Sequence, residues 1–223
     1  MNEAFGSSEL PDEYRRRFSA IESYRNEVWS RLVSGFFQAL IPEQSAILDL
    51  GCGYGEFINQ VTARKKYAMD LNPDARERLN DAVHFFLHDC SIEWPLPPSS
   101  LDVVFTSNFL EHLPSKPHLS RVIEHTVRCL RSGGHLICLG PNVKYLSDSY
   151  WDFWDHHIPL SDRSLQELLE IKGLKIVRIW KKFLPFTMSN GFRPPAAFVS
   201  LYLKLAWTWP LLGRQFLVIA QKP

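Results

Sequence analysis

The sequence predicts an α/β fold: a doubly wound, mostly parallel, seven-stranded sheet with an N-terminal helical extension and an antiparallel last strand. Seven short apolar runs typical of strands are separated by polar segments, several of which have helical periodicity. Strands that alternate with helices form a parallel sheet covered on both faces. The final two runs are joined by residues 184–214 without a clear crossover helix, which favours an antiparallel last strand.

The elements follow in order along the chain. Apolar residues at helical spacing predict a helix over 12–40, which Pro42 ends. Strands are predicted over 46–51, 65–71, 83–89, 101–108, 133–141, 174–183 and 215–222. A further helix is predicted over 118–131, where apolar residues share one face. Another is predicted over 161–173, which begins with a good cap and ends in glycine.

Composition excludes several classes of protein. A chain of 223 residues that is 45% hydrophobic suits a folded protein with a full core and not a disordered one. The formal net charge of +1 provides no overall attraction to nucleic acid. The four cysteines are Cys52, Cys90, Cys129 and Cys138. No two form a C-x-x-C pair, so a reduced, cytoplasmic protein is expected, and the first residues lack the apolar core of a signal peptide.

The charge is unevenly distributed. Residues 1–44 carry five basic and seven acidic side chains, residues 45–162 ten and fifteen, and residues 163–223 ten and two. Within 181–214, a nearly apolar run with one lysine and a late proline is marginal as a membrane span. We expect a lid over a binding cleft there; a dimer interface and peripheral contact with a membrane surface are alternatives. Nucleic-acid binding is not expected, because no recognisable module accompanies the basic residues.

The most informative stretch is LDLGCGYGEF. Gly51, Gly53 and Gly55 follow the first predicted strand and are expected to open a helix, and such glycines let the backbone pass close to a ligand. Asp70 ends the second predicted strand, 21 positions after Asp49. A carboxylate at that place can accept hydrogen bonds from both hydroxyls of a ribose. The two features together predict a nucleoside-binding site.

The spacing of the glycines distinguishes between nucleoside cofactors. The dinucleotide fingerprint is G-x-G-x-x-G, whereas this loop reads G-x-G-x-G and follows Asp49. An acidic side chain beside the loop would repel a diphosphate and attract a cationic amino-acid group. A ligand with a ribose, a positive charge and no phosphate matches S-adenosylmethionine. A nicotinamide-dependent oxidoreductase is therefore the disfavoured alternative.

Several segments together resemble the successive motifs of class I S-adenosylmethionine-dependent methyltransferases: ILDLGCGYGEF, the strand end at Asp70, HDCSIEWPLP, DVVFTSNFLEHL and LRSGGHLICLGPN. The similarity is to the branch called methyltransferase type 11 or type 12. It implies a Rossmann-like fold with S-adenosylmethionine as the cofactor. The whole chain, 1–223, is then a single methyltransferase domain with a helical extension at 1–44, a cofactor-binding core at 45–141 and a substrate-side and lid region at 142–223.

The resemblance also implies which residues bind the cofactor. Those expected at its methionine end are Asp49, Gly51, Cys52, Gly53, Asn108 and Phe109. Those expected at its ribose and adenine are Asp70, Leu71, Asp89 and the backbone of Cys90. Asp89 is assigned to the adenine amino group, and a helix cap or a solvated turn is the alternative for it.

Methyl transfer from a sulfonium is a direct displacement, so the protein must align the acceptor, exclude water and, for some acceptors, remove a proton. His157 is the candidate base, supported by a D-H-x-x-P-L-S segment that is similar in related methyltransferases; His156 is the alternative base. His157 could instead bond a backbone carbonyl and fix its loop, and His112 has a similar ambiguity. No metal site is predicted at Asp155, His156 and His157, because adjacent residues rarely point the same way.

The sequence therefore predicts an S-adenosylmethionine-dependent enzyme that methylates an oxygen atom of a small or lipid-linked acceptor. A different class, a non-catalytic membrane-surface binding protein with the same fold, is the second alternative. In the N-terminal helix, Arg17 or Tyr24 could reach the cofactor carboxylate, although a solvated face is the more common role of such residues. The protein is expected in the cytoplasm, with peripheral membrane contact as a possibility of the 181–214 region.

Overall fold

The computed structural model describes residues 21–146, 149–186 and 194–223. The predicted helix before residue 21 and the expectation for Arg17 lie outside the described residues. The strands are β1 (Ala46–Leu50), β2 (Lys65–Asp70), β3 (Val83–Leu87), β4 (Leu101–Ser107), β5 (Leu130–Pro141), β6 (Lys175–Trp180) and β7 (Gln215–Gln221). They form one sheet in the order β3-β2-β1-β4-β5-β7-β6.

The predicted fold class is confirmed. β1 pairs in parallel with β2 and β4, β2 with β3, and β4 with β5. β7 lies between β5 and β6 and is antiparallel to both. All strands except β7 therefore end at one edge of the sheet, here called the carboxyl edge, where ligands of such folds bind.

Five helices of the described residues flank this sheet. They are α1 (Glu22–Gly35), α2 (Lys116–Cys129), α3 (Asp162–Ile171), α4 (Ala197–Lys204) and the short α5 (Trp209–Leu212). Short 3₁₀ helices occur at Phe37–Leu40, Pro73–Arg78, Leu110–His112, Tyr150–Asp152 and Ala206–Thr208. The expected cap of α3 is present. The Ser161 hydroxyl accepts from the Ser164 N–H, and the Ser164 hydroxyl accepts from the Ser161 N–H.

The prediction that the glycine loop opens a helix is wrong. Residues 51–60 form turns, closed by bonds from the Asn59 N–H to the Gly55 carbonyl (3.0 Å) and from the Gln60 N–H to the Phe57 carbonyl (3.0 Å). The Ile58 N–H donates instead to the Asp49 carboxylate. A side chain that captures a backbone donor in this way competes with the helical ladder.

Among the predicted boundaries that differ, two have a structural cause. The first helix ends at Gly35, before a 3₁₀ turn, because Phe36 leaves the helical region at φ −148° and ψ −59°. Strand β5 begins at Leu130, not at residue 133, because it continues through a bulge that faces Leu101 and Val103 of β4. The glycine signal at 133 therefore marks an irregularity inside the strand and not its start.

Both faces of the sheet are covered by apolar residues. One core cluster packs α2 and α3 on the face that carries Leu48 and Val104. The other packs α1 and part of the C-terminal region on the face that carries Ile47, Phe105 and Leu217. Neighbouring residues of a strand point to opposite faces, so burial on both sides explains why the strands are continuous apolar runs.

Residues 194–214, here called the C-terminal segment, fold back against α1. The Tyr24 hydroxyl donates to the Pro194 carbonyl (2.9 Å), and the Tyr202 hydroxyl donates to the Phe183 carbonyl (2.6 Å). The Trp209 ring lies edge-on to Phe183, with 4.9 Å between the ring centroids. Within the described parts of the chain, no helix combines the length and the apolar character needed to cross a membrane.

Candidate active site

The glycine turn lies at the carboxyl edge, between the ends of β1 and β2. The Gly51 and Cys52 N–H groups donate to the Met69 carbonyl at 2.9 Å and 3.3 Å, which fixes the turn to β2. Gly51 has φ +70°, and a Cβ there would lie 2.2 Å from Cγ of Phe109. Gly53 is also left-handed, at φ +53°. Only glycine fits at Gly51, and the backbone stays bare where a ligand can approach.

Three carboxylates lie close together at this turn: Asp49, Glu56 and Asp70, here called the acidic cluster. The Asp70 oxygens accept from the Gly53 N–H (2.8 Å) and the Asn72 N–H (2.9 Å). Burial raises the pKa of Asp49 well above its usual range, and the charges of Glu56 and Asp70 raise it further. Burial also raises the pKa of Asp70, in spite of its backbone hydrogen bonds. The site therefore favours a positive charge.

Glu56 and its partner are functional candidates that sequence reasoning missed. The Arg25 Nε lies 2.6 Å from the Glu56 Oε1, and the two side chains are only 13% and 4% exposed. A solvated helix face was the expectation for such arginines, but Arg25 is turned inward. The acid that directly follows the third glycine was the available sequence signal for Glu56, whereas its pairing with a residue 31 positions away was not visible in the sequence.

The residues expected at the adenosine end lie along the same edge. Leu71 directly follows β2 and is 42% exposed, so its side chain is available to a ring. Asp89 is exposed, and its Oδ1 accepts from the Ser91 N–H at 2.8 Å, which is the turn geometry given as its alternative. The Cys90 side chain is buried, while its carbonyl accepts from Trp94 Nε1 at 2.8 Å.

The other residues expected at the methionine end lie in the glycine turn and directly after β4. Phe109 lies against Gly51. Cys52 is buried, and burial raises the pKa of its thiol well above the usual range, so the group stays neutral. Asn108, which follows β4, has φ +47°, and its Nδ2 donates to Ser107 Oγ at 3.1 Å. Its Oδ1 is buried without a hydrogen-bond partner among the described residues, so a ligand N–H could satisfy it.

The histidines beyond β4 differ from one another in exposure and in contacts. His157 is exposed, and its backbone N–H donates to the Glu111 carbonyl at 2.9 Å. His156 is buried, and its Nδ1 lies 2.7 Å from the Tyr150 carbonyl. Glu111, which sequence reasoning also missed, is buried beside His112, and burial raises its pKa to about 7. The structure thus brings Glu111, His112 and His156 together.

His112 is held by the loop that carries the other histidines. Its Nδ1 lies 3.0 Å from the Asp155 Oδ2 and 3.1 Å from the Asp155 carbonyl. Burial alone would lower the pKa of His112, but the hydrogen bond to Asp155 and the charge of Glu111 outweigh it and raise the pKa. Both contacts join the turn after β4 to the 150–158 loop.

Comparison with known proteins identifies the family. A family model described as a methyltransferase domain matches residues 21–179. A 27-O-demethylrifamycin SV methyltransferase of Amycolatopsis mediterranei (strain S699) is 34% identical over 101 residues, which are 40% of this chain and 36% of that protein. A probable S-adenosylmethionine-dependent methyltransferase of Mycobacterium tuberculosis (strain ATCC 25618 / H37Rv) is 31% identical over 129 residues, 55% of this chain and 44% of that protein. The chain thus spans less than half the length of these curated relatives.

Solved structures share the fold. A S-adenosylmethionine-dependent methyltransferase from Archaeoglobus fulgidus superposes with a TM-score of 0.68 at 20% identity, over 92% of this chain and 99% of that one. A methyltransferase solved in complex with the Haloferax volcanii Trm112 activator superposes with a TM-score of 0.69 at 14% identity, over 94% and 96%. At these identities the likeness concerns the fold alone.

The residues present fit the cofactor that this family implies. S-adenosylmethionine carries a sulfonium and an ammonium, which suit the buried carboxylates of the acidic cluster. The bare backbone at Gly51 allows close approach, and Asn108 Oδ1 offers an acceptor for an N–H group. The resemblance of the motifs is confirmed by a family model that spans most of the sequence. This chain belongs to the methyltransferase domain family, whose class I members take their methyl group from S-adenosylmethionine.

Proposed function

We propose that this chain transfers a methyl group from S-adenosylmethionine to an oxygen atom of a small or lipid-linked acceptor. The observation that carries the proposal is the acidic cluster. Among the described contacts of Asp49, Glu56 and Asp70, the ion pair is that of Glu56 with the Arg25 guanidinium, and the charge of Glu56 raises the pKa of the other two carboxyls. A buried net negative charge is unfavourable unless a cation offsets it. A cationic ligand is therefore favoured, whereas the diphosphate of a nicotinamide cofactor would be repelled.

At the methionine end, the roles follow from the donors of an α-amino-acid group. The Asp49 carboxylate and Asn108 Oδ1 would accept hydrogen bonds from its ammonium, because both are buried acceptors. Gly51, Cys52 and Gly53 form the wall of the site through their backbone. The Phe109 ring, fixed against Gly51, excludes water from the sulfonium side.

At the adenosine end, Asp70 binds the ribose. Each of its oxygens already accepts one backbone N–H, and a carboxylate oxygen has a second lone pair for a hydroxyl. Leu71 packs on the adenine face. Asp89 keeps its second oxygen for the adenine amino group while the first holds the turn, and the backbone of Cys90 lies beside it.

The bound cofactor supplies an electrophilic methyl group, so the chain has to position the acceptor and accept its proton. We assign the role of proton acceptor to His157. Its backbone N–H bonds to the Glu111 carbonyl and holds the residue beyond β4, while its side chain stays exposed. A His157→Gln variant should lose turnover while binding S-adenosylhomocysteine unchanged. Unchanged turnover in this variant would remove the assignment.

The acceptor class is proposed from the C-terminal segment. Its exposed large apolar side chains are Phe198, Leu201, Trp207, Leu211 and Leu212. Basic side chains accompany them at Lys182, Lys204 and Arg214. Exposed tryptophan and leucine beside lysine and arginine suit a bilayer surface with anionic headgroups. We infer that the segment contacts such a surface and gives access to a lipid-linked acceptor.

Calorimetric titration tests the proposed binding of the cofactor. S-adenosylhomocysteine should bind the native chain and NAD should not. Asp70→Asn should weaken S-adenosylhomocysteine about 10- to 100-fold, because a hydrogen bond to a charged group contributes about 1.5–3 kcal/mol. Asp81→Asn, an exposed aspartate that follows the 73–78 turn, is the matched control and should bind normally. Failure of S-adenosylhomocysteine to bind, or binding of NAD, contradicts the proposal.

Cosedimentation with vesicles tests the proposed contact of the C-terminal segment with a membrane surface. The native chain should bind vesicles that contain phosphatidylglycerol and not vesicles of phosphatidylcholine alone. The double variant Trp207→Ala/Leu211→Ala should lose most of this binding. Ile171→Ala is the matched control, since Ile171 is 71% exposed, as apolar and as exposed as Leu211 at 70%, but lies at the end of α3. If the double variant binds as well as the control, the segment is not the contact surface, and water-soluble hydroxylated acceptors become the first to screen.

A further inference from the structure

We propose that Glu111, His112 and His156, here called the histidine cluster, bind a divalent transition-metal ion beside the acceptor. Each residue offers one ligand atom, and the three atoms lie within 4.8 Å of one another. Two imidazoles and one carboxylate are a common donor set for Zn²⁺ and for Fe²⁺, Mn²⁺ and Co²⁺. This proposal rests on the proposed function only for the role of the ion, not for its binding.

The orientation of both imidazoles supports metal binding. His112 Nδ1 faces the carboxylate and the carbonyl of Asp155, at 3.0 and 3.1 Å. His156 Nδ1 faces the carbonyl of Tyr150 at 2.7 Å. Carbonyl and carboxylate oxygens only accept hydrogen bonds, so each Nδ1 carries the proton and each Nε2 carries the lone pair. Protein metal sites hold their ligand histidines by this kind of outer contact.

The position of the carboxylate gives an independent argument. Glu111 is 1% exposed, and its Oε1 lies 3.9 Å from His112 Nε2, too far for a hydrogen bond. The distance between these two atoms leaves room for an ion to approach both of them. A zinc ion with bonds of about 2.0–2.2 Å would bring such donors to roughly 3.3 Å from each other. Small side-chain rotations suffice for this.

The backbone holds the three ligands in place. The Glu111 carbonyl accepts from the N–H groups of His157 (2.9 Å) and Ile158 (3.1 Å). The Tyr150 hydroxyl donates to the Ile158 carbonyl at 2.5 Å and accepts from the Leu160 N–H at 3.1 Å. These bonds fix the 150–158 loop against the turn after β4. The ligands thus come from two segments that are tied together by buried hydrogen bonds, as a defined metal geometry requires.

The site adjoins the residues assigned to the cofactor. Glu111 and His112 follow Asn108 and Phe109 directly in sequence, at the end of β4. Three protein ligands leave a coordination position open, as in sites where a metal binds substrate. An acceptor with an oxygen donor, such as a hydroxyl next to a second oxygen, would fill that position. We infer that the ion orients the acceptor oxygen toward the methyl group.

Direct metal binding tests the site without any need for turnover. Chelator-treated chain is titrated with Co²⁺, and the visible d–d absorption reports ligation. One equivalent should bind, and Zn²⁺ should displace it. Glu111→Gln and His156→Ala should each weaken Co²⁺ at least tenfold, and Asp155→Asn about tenfold through the orientation of His112. His84→Ala, a histidine exposed on β3, is the matched control.

The outcomes separate this proposal from the one on function. Each variant is checked by thermal unfolding and by S-adenosylhomocysteine binding, neither of which depends on the metal. Loss of Co²⁺ with retained S-adenosylhomocysteine binding supports the site. A native chain that binds no Co²⁺, or the same Co²⁺ affinity in Glu111→Gln, His156→Ala and His84→Ala, overturns it. A chain that binds Co²⁺ as expected but not S-adenosylhomocysteine refutes the proposed function alone.

Discussion

Removing the guanidinium at the acidic cluster should be the most costly single change near the cofactor site. Arg25→Met keeps the length and the apolar stem of the side chain but leaves Glu56 buried beside Asp49 and Asp70 without its 2.6 Å partner. Breaking a buried ion pair on one side costs about 3–5 kcal/mol. Because Arg25 is 13% exposed, the lower end is expected, about 3 kcal/mol in the free energy of unfolding.

A matched control lies on the same helix. Arg31 pairs with Glu27 one turn away at 2.9 Å, but the side chains are 36% and 56% exposed. Such a pair contributes about 0.3–0.5 kcal/mol, so Arg31→Met should change stability only by that amount. The double variant Arg25→Met/Glu56→Gln should recover much of the loss, because it removes the charge that the single variant leaves uncompensated.

The loss should also depend on pH with a definite sign. The pKa values of Asp49 and Asp70 are raised by burial and by the charge of Glu56, which Arg25→Met leaves without its partner. A carboxyl whose folded pKa exceeds its unfolded pKa destabilises the fold above the folded value and ceases to do so as the pH falls through it. Urea unfolding of Arg25→Met should therefore approach the native curve as the pH falls through the raised pKa values of Asp49 and Asp70. Equal losses for Arg25→Met and Arg31→Met would refute the reasoning.

Three further changes have defined outcomes. Gly51→Ala should lower the free energy of unfolding by at least about 2 kcal/mol, from the left-handed backbone and the overlap with Phe109, and should abolish S-adenosylhomocysteine binding in calorimetry. The affinity for S-adenosylmethionine should fall as the pH is lowered through the raised pKa values of Asp49 and Asp70; S-adenosylhomocysteine, which lacks the sulfonium, should show a shallower slope, and parallel slopes would contradict this. Tyr150→Phe leaves a buried N–H and a buried carbonyl without their hydroxyl partner, and urea unfolding should report a loss of about 1–3 kcal/mol.

The fold was predictable wherever burial is a property of a continuous segment. β1 and β7 are buried on both faces, so their apolar runs mark them in the sequence. The glycine loop does not form the predicted helix because the Ile58 N–H donates to the side chain of Asp49. Local periodicity in the sequence does not report such a contact. The predicted start of β5 was wrong for a related reason, since the strand continues through Gly133 by way of a bulge.

The residues of the candidate site likewise differ in whether a local sequence motif identifies them. Asp49, Gly51 and Asp70 sit in motifs of consecutive residues, and their types and spacing were enough to suggest a cationic nucleoside. Their individual roles stay predictions. Glu56 needs Arg25 from α1, a partner that only tertiary packing supplies. The histidine cluster needs the 150–158 loop to bond to the Glu111 carbonyl, so adjacency in sequence was a poor guide to it.

The turn after β4 explains how one short segment can serve two sites. Asn108 adopts φ +47°, a conformation that asparagine tolerates better than most residues, and its N–H donates to the Leu139 carbonyl of β5 at 2.9 Å. The backbone reversal places Phe109 against Gly51 on the cofactor side. It leaves Glu111 and its neighbour to face the 150–158 loop. The residues that we assign to the cofactor and to the metal ion are therefore held by the same strand end. Under the two proposals this would keep the methyl donor and the acceptor oxygen at a fixed separation, as a direct displacement requires.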